Sequence, residues 1–275
     1  MAGHRVVFDR FHRGTTASNR LDLQLSRASC DQRTLRWAER EPEEPLSSGP
    51  DGAAQTTPRA PMNAPTVAVL IVAAGFAIGD WISRAVPQRP WARRLEYVCK
   101  PATLALLVVA ALTLDPESGS MRAWFVVALV CSLAGDIFLM LPSDRFVEGL
   151  GAFLLGHVAY VVGFVALGIE VVPAAIAAVA VMIIVGPVGV RIVRGARSHD
   201  ARLTIPVTAY ITVISAMIVA AGGSARPLAI VGAVSFAFSD SLIGWTRFVR
   251  PAGFASVTIM VTYHLGQALL LLSLV

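Results

Sequence analysis

Two aspartates stand inside long apolar stretches of this sequence, Asp136 within residues 121–141 and Asp240 within residues 227–245. A charged side chain at the centre of a bilayer costs about 2.5–3.5 kcal/mol, so such residues are functional candidates. A carboxyl group in apolar surroundings can stay protonated near neutral pH, and a second carboxylate can stabilise a developing positive charge. The pair therefore predicts acid–base chemistry inside a membrane.

Other polar side chains accompany these aspartates. His157 and Tyr160 are three residues apart, and Tyr263 and Gln267 are four apart, so each pair shares one helix face. Side chains of this kind can orient a carboxyl group, a water molecule or a substrate. The supporting candidates are Asp80, Lys100, His157, Tyr160, Tyr210, Ser239, Tyr263 and Gln267. The structural alternative is that each aspartate only pairs with a Lys or Arg and holds helices together.

Eight apolar stretches follow Met62, each near the roughly 20 residues that a helix needs to cross the hydrocarbon core. The chain is 55% hydrophobic and 15% charged, whereas soluble domains carry about 25% charged residues. The stretches lack the alternating polarity of barrel strands. The sequence predicts an all-α, polytopic membrane protein, a bundle of eight transmembrane helices. The predicted spans are 64–82, 98–114, 121–141, 149–168, 171–190, 203–222, 227–245 and 255–274.

Residues 1–61 differ in composition from the rest of the chain. They hold nine arginines and eight acidic residues, with poor apolar periodicity and many Pro, Gly, Ser and Ala residues toward their end. Such a composition predicts a disordered tail before a membrane domain at 62–275. Because Met62 directly precedes the first span, the alternative is a mis-called N-terminal extension and a natural start at Met62.

Basic residues in the loops indicate the orientation of the predicted helices. Twelve Lys and Arg residues fall in or beside loops 1–2, 3–4, 5–6 and 7–8, against three on the other side when the distant tail is set aside. These loops are predicted to be cytoplasmic and both termini outside, in a bacterial-type plasma (inner) membrane. All the polar candidates then lie in the cytoplasmic half of the bilayer, which predicts one polar cavity open toward the cytoplasm.

A weak internal repeat relates the two halves of the apolar region. Helices 3 and 7 each carry a small residue and Asp, followed by an Arg-Phe pair, and the next helix carries a His. The matching residues are Gly135-Asp136 with Arg145-Phe146 and His157, and Ser239-Asp240 with Arg247-Phe248 and His264. This pattern predicts two four-helix units in parallel orientation.

A set of short motifs, in order along residues 98–270, resembles YhhN-type membrane proteins, whose animal members are lysoplasmalogenases. The motif residues are Lys100-Pro101, Gly135-Asp136 with Phe138 to Pro142, Gly149-Leu150, Gly156-His157 with Tyr160, Pro206 with Tyr210, Phe238 to Ser241 with Arg247-Phe248, and Tyr263 with Gln267. No single motif is specific, but the ordered set is.

The resemblance implies an eight-helix membrane hydrolase that cleaves the vinyl-ether bond of lysoplasmalogens, with essential aspartates at Asp136 and Asp240. It implies a lysophospholipid substrate among membrane lipids, and no metal or organic cofactor. Vinyl ethers hydrolyse through an oxocarbenium ion, which two carboxyl groups also handle in glycosidases. Asp136 and Asp240 suit this chemistry if they meet across helices 3 and 7. Lys100 and nearby arginines would bind the phosphate near the membrane interface.

Two other functions fit parts of the sequence. A membrane transporter would also use carboxylates and repeats, although the outer half of the predicted bundle lacks the polar residues that alternating access needs. A non-catalytic lipid-binding membrane protein is the other alternative. No basic stripe with interleaved aromatics predicts a nucleic-acid site. The sequence leaves open the head group, the chain length, the oligomeric state and which aspartate is the acid.

Overall fold

The structure, a computed structural model, describes residues 62–275 as eight long α-helices and one short 3₁₀ turn. No strand occurs in this range, and all eight helices are long and apolar enough to cross a membrane. The predicted eight-helix membrane fold is therefore confirmed, while the expected tail at 1–61 lies outside the described residues. The helices are α1 Ala64–Ala85, α2 Ala92–Thr113, α3 Gly119–Met140, α4 Phe146–Leu167, α5 Val171–His199, α6 Thr204–Gly223, α7 Pro227–Phe248 and α8 Ala255–Leu272, with the 3₁₀ turn at Ala201–Leu203 before α6.

Two helices extend well beyond the predicted apolar spans. Helix α2 begins at Ala92 instead of residue 98, and α5 continues to His199 instead of ending at residue 190. Both extensions are rich in arginine, which lowers their hydropathy without lowering their tendency to form a helix. Apolar length therefore located the spans but not the full helices.

Local sequence signals set several helix ends. The Asn63 side chain caps α1 by accepting a hydrogen bond from the Thr66 N–H at 2.9 Å, and Ser118 caps α3 in the same way from Met121 at 3.2 Å. Gly168 ends α4 with a φ of 114°, a conformation that favours glycine. These ends leave short connections, so consecutive helices run antiparallel.

The bundle is built from consecutive helix pairs. The pairs α3/α4 and α7/α8 have the most extensive contacts, followed by α1/α2 and α5/α6; α4 also packs on α6, and α8 packs on α1 and α2. Glycines permit the closest approaches. A Cβ atom on Gly266 would lie 2.8 Å from the backbone nitrogen of Phe236, so α7 and α8 touch backbone to backbone. This packing brings Asp136 on α3 and Asp240 on α7 into one bundle interior.

The outward faces of the helices are apolar. On α5, Met182, Ile183 and Ile184 are all exposed, which suits contact with lipid tails. The interior, in contrast, contains the buried polar side chains of α1, α2, α3, α4, α7 and α8. The chain is an integral membrane protein whose polar groups face inward.

Candidate active site

Asp136 is buried among α2, α3 and α8. One of its carboxylate oxygens lies 3.0 Å from the Lys100 ammonium, and the Tyr263 hydroxyl donates a hydrogen bond to the other at 2.9 Å. The side chain of Lys100 is only 5% exposed. Lys100 was expected near the interface, but it lies in the interior of α2 as the ion-pair partner of Asp136.

Asp240 has a different set of partners. The Tyr210 hydroxyl donates a hydrogen bond to its Oδ2 atom at 2.5 Å, and His157 Nε2 lies 3.5 Å from the same oxygen. His157 Nδ1 lies 2.6 Å from the Phe153 carbonyl. Because a carbonyl only accepts, Nδ1 carries the hydrogen, and in the neutral ring Nε2 faces Asp240 as an acceptor. Among the described residues, no Lys or Arg forms an ion pair with Asp240.

The two aspartates occupy equivalent positions in the bundle. Each contacts a residue of the helix before its own, Lys100 on α2 or Tyr210 on α6. Each also contacts a residue from the last helix of the opposite half, Tyr263 on α8 or His157 on α4. These contacts agree with the predicted repeat of two four-helix units.

Aromatic rings contact the partners of both carboxyl groups. The Phe236 ring is 4.6 Å from the His157 ring and 5.2 Å from the Tyr263 ring, measured between centroids. Phe153 packs edge to face on both Phe236 and Tyr263. Phe236 therefore contacts a partner of each carboxyl group, and no hydrogen bond joins the carboxyls within residues 62–275.

Tyr160 and Gln267 belong to the Asp136 side of the site. The Tyr160 hydroxyl donates to Gln267 Oε1 at 2.5 Å, and both side chains are buried. Gln267 shares its helix face with Tyr263, as the sequence spacing indicated, so this hydrogen bond ties α4 to the helix that holds Tyr263.

Two of the supporting candidates, within the described residues, form no hydrogen bond or ion pair with either carboxyl. Ser239 donates to the Ile259 carbonyl at 3.0 Å and so joins α7 to α8. Asp80 is fully buried on α1, and its nearest ionic partner is Arg84, at 3.7 Å on the same helix. Arg84 in turn pairs with Glu96 at 2.9 Å. Charges of alternating sign thus extend inward from Glu96 at the edge of the bundle.

An apolar cleft opens beside Asp240. It holds about 60 Å³ of free space and is lined by residues of α3 to α7. Most of its lining residues are apolar, such as Phe153, Ile192 and Ile214. Its polar lining residues are Asp240, Ser241 and Tyr210. Asp136 does not line this cleft. Its walls are mostly apolar, so they suit contact with a hydrocarbon chain beside the Asp240 carboxyl.

Several buried polar atoms on the Asp136 side have no hydrogen-bond partner within the described part of the chain. Buried polar groups are normally satisfied by protein or by ordered water. This side of the site is therefore suited to hold water. The atoms are both carboxylate oxygens of Asp80, His264 Nε2, Gln267 Nε2 and the Ser132 hydroxyl. No group of three His, Cys, Asp or Glu side chains between residues 62 and 275 is placed to hold a metal ion.

Sequence reasoning missed the residues that shape the site without carrying charge. Val185, Gly189 and Ile192 of α5 line the cleft, but in the sequence they are only part of an apolar span. Trp81 donates its indole N–H to His264 Nδ1 at 3.1 Å. Nothing in the sequence pattern pairs residues so far apart.

Comparisons with known proteins identify a family and several relatives of this chain. The model of the YhhN family matches residues 95–274. A lysoplasmalogenase of Mycobacterium tuberculosis is 37% identical over 175 residues, which cover 62% of this chain and 66% of the relative. For a lysoplasmalogenase of Homo sapiens the identity is 34%, covering 53% of this chain and 61% of the relative. The match therefore spans less than two thirds of either protein.

A longer match is found with a lysoplasmalogenase of Mus musculus, which is 30% identical over 211 residues. That match covers 75% of this chain and 85% of the relative. No solved structure matches the chain.

Proposed function

Because this chain belongs to the YhhN family, we propose that it is a membrane hydrolase that cleaves the vinyl-ether bond of a lysoplasmalogen or a related lysolipid. The products are a fatty aldehyde and a glycerophospho-alcohol. The observation that carries this proposal is the position of Asp240, a carboxyl group in the wall of an apolar cleft, hydrogen-bonded by Tyr210 and faced by His157. The names of the relatives support the same activity.

The reaction begins with a proton from Asp240. The proton adds to the alkene carbon that does not bear oxygen, and the electron pair of the double bond forms the new C–H bond. The carbon that bears oxygen becomes an oxocarbenium ion, which the Asp240 carboxylate now stabilises. Water attacks this carbon and gives a proton to the Asp240 carboxylate, which restores the acid. The resulting hemiacetal then breaks its bond to the glycerol oxygen, which takes up the hydroxyl proton, and aldehyde and alcohol are formed.

The surroundings of the two aspartates assign them different roles. Only Asp240 lines the cleft, so only Asp240 can reach a lipid held there. Asp136 is held by Lys100 and Tyr263, and we assign it to the polar side that supplies water. We assign proton exchange with Asp240 to His157, whose Nε2 atom lies 3.5 Å from Asp240 Oδ2. Asp240 is thus the general acid, and Asp136 with its partners Lys100 and Tyr263 has a supporting role.

The assay is aldehyde release by the purified protein in lipid nanodiscs. Three substrates are compared: a lysoplasmalogen, the matching lysolipid with a saturated ether, and the matching ester lysolipid. Release from the vinyl ether alone is expected, because only a vinyl ether forms an oxocarbenium ion by protonation at carbon. Protein that is folded, binds the lysoplasmalogen and releases no aldehyde would instead be a non-catalytic lipid-binding protein. Movement of intact lipid between leaflets would favour the transporter.

The two tyrosine hydroxyls are expected to affect the rate unequally. Tyr210→Phe removes the hydrogen bond to Asp240, and such bonds to charged groups contribute about 1.5–3 kcal/mol, or about 10–100-fold in rate. Tyr263→Phe should reduce the rate less, because Tyr263 contacts Asp136 outside the cleft. Tyr97→Phe, whose hydroxyl donates to the Met140 carbonyl, is the matched control. Equal losses in Tyr210→Phe and Tyr97→Phe would contradict the assignment.

The orientation in the membrane follows from the loop charges. We place the ends of the bundle that carry Arg84, Arg145, Arg197 and Arg247 in the cytoplasm. The C terminus at Val275 then lies outside. A reporter that is active only outside the membrane, fused after Val275, is expected to be active, and an inactive reporter in a folded fusion would reverse the orientation.

A further inference from the structure

The two Arg-Phe pairs of the predicted repeat meet at one end of the cleft. Phe146 and Phe248 both line the cleft and pack edge to face, with ring centroids 5.6 Å apart. The Arg247 guanidinium lies over the Phe146 ring, 4.0 Å from its centroid. We call this end of the cleft, at the first residue of α4 and the last residue of α7, the mouth, and the Arg247 guanidinium lies over one of its rings.

A polar recess, lined by Asp144, His199, Asp200 and Arg247, adjoins this mouth. Phe146 lines both the recess and the cleft, so the two spaces share a wall. Arg247 donates to Asp144 Oδ2 at 2.7 Å. That hydrogen bond holds the pKa of the Asp144 carboxyl below its usual range. The recess thus contains both positively and negatively charged side chains, and it lies at the helix ends, where lipid head groups are found.

We infer that the polar recess binds the head group of the lysolipid and that Arg247 binds its phosphodiester, an inference that rests on the proposed function. Arg247 lies seven residues after Asp240 on α7, which is about 10 Å along the helix axis. When the vinyl ether is at Asp240, only the glycerol of the lipid separates it from the phosphate. The phosphate therefore reaches the mouth, not the buried Lys100.

The chemistry of Arg247 suits a phosphodiester. A guanidinium group binds phosphate oxygens with two parallel hydrogen bonds, and stacking on an aromatic ring fixes its plane. Its present partner, Asp144, is 70% exposed, so water can replace Arg247 at that carboxylate when the phosphate binds. Asp144 competes with the substrate phosphate for Arg247. Removing the Arg247 charge should therefore weaken substrate binding, and removing the Asp144 charge should strengthen it.

The experiment compares two substrates that differ only in the phosphate. One is an alkenyl-glycerophosphoethanolamine and the other is the corresponding alkenylglycerol. Arg247→Gln is expected to raise KM for the phospholipid by about 10–100-fold, the usual loss for a hydrogen bond to a charged group. KM for alkenylglycerol and kcat for both substrates should stay close to those of the wild type. Asp144→Asn should lower KM for the phospholipid only.

Arg250→Gln is the matched control, because Arg250 belongs to the next loop and lies near Trp245 instead of the recess. A KM change of equal size for both substrates, or none, in Arg247→Gln would overturn the inference. The Kd values of the saturated alkyl-ether lysolipid and of alkylglycerol, measured in nanodiscs, test the site without turnover. Wild-type protein that releases no aldehyde would refute the proposed function, while these Kd values still decide on the recess.

Discussion

Replacing Asp240 with asparagine is expected to lower the rate of aldehyde release by about 10²–10⁴-fold, the usual contribution of a general acid. Asparagine has nearly the same shape and can still accept the Tyr210 hydrogen bond, but it has no proton to give. No Lys or Arg pairs with Asp240 in the described part of the chain, so this change leaves no buried cation unpaired. Binding of a saturated lysolipid and the unfolding midpoint should therefore stay near the wild-type values.

The neighbouring Ser239 provides the control for this prediction. Ser239 precedes Asp240 on α7 but donates to the Ile259 carbonyl on α8. Ser239→Ala should keep nearly full activity, with only a small loss of stability. If Asp240→Asn retained activity within a factor of about ten, below the usual range for a general acid, Asp240 would not be the proton donor.

Replacing Lys100 with methionine is expected to destabilise the protein by about 3–5 kcal/mol, the usual result of removing one partner of a buried ion pair. Methionine keeps the apolar stem of Lys100, so the main loss is the charge that balances Asp136. Replacing Asp136 with leucine as well should restore much of the stability, because no buried charge is then left alone. Unfolding of the four proteins in a mild detergent measures this double-mutant cycle.

Glu96→Gln is the control that removes one charge from an ion pair at the edge of the bundle instead of the buried pair. Glu96 pairs with Arg84 at the edge of the bundle and is 25% exposed, so its loss should cost at most about 1 kcal/mol. If Lys100→Met unfolded at the same point as the wild type, the Lys100–Asp136 ion pair would not stabilise the fold as predicted. The same conclusion would follow if the double variant lost the full sum of the two single effects.

The depth of the polar residues was predictable, and their partners were not. Helix length and rise place Asp136, His157 and Tyr263 at similar depths, and spacing places Tyr263 and Gln267 on one face. Neither quantity says how a helix is rotated against its neighbours. The sequence therefore left open that Lys100 turns inward to Asp136. It also left open that Phe236 contacts a partner of each carboxyl group.

The cleft could not be predicted from the sequence, for a related reason. Its walls come from five helices, and most are apolar residues such as Val185, Ile192 and Ile214. In a membrane protein, apolar residues face both lipid and cavities, so hydropathy does not distinguish the two. The Arg-Phe pairs were visible as a repeat, but only the structure reveals that the rings of Phe146 and Phe248 meet.

Hydrolysis in deuterium oxide tests the central claim, protonation of the vinyl ether at carbon from Asp240, most directly. The aldehyde is reduced as it forms, and the resulting alcohol is examined by mass spectrometry. We expect one deuterium on the carbon next to the former carbonyl in the wild type, and no product above background in Asp240→Asn. Aldehyde without that deuterium, or deuterated aldehyde formed at the wild-type rate by Asp240→Asn, would contradict the account.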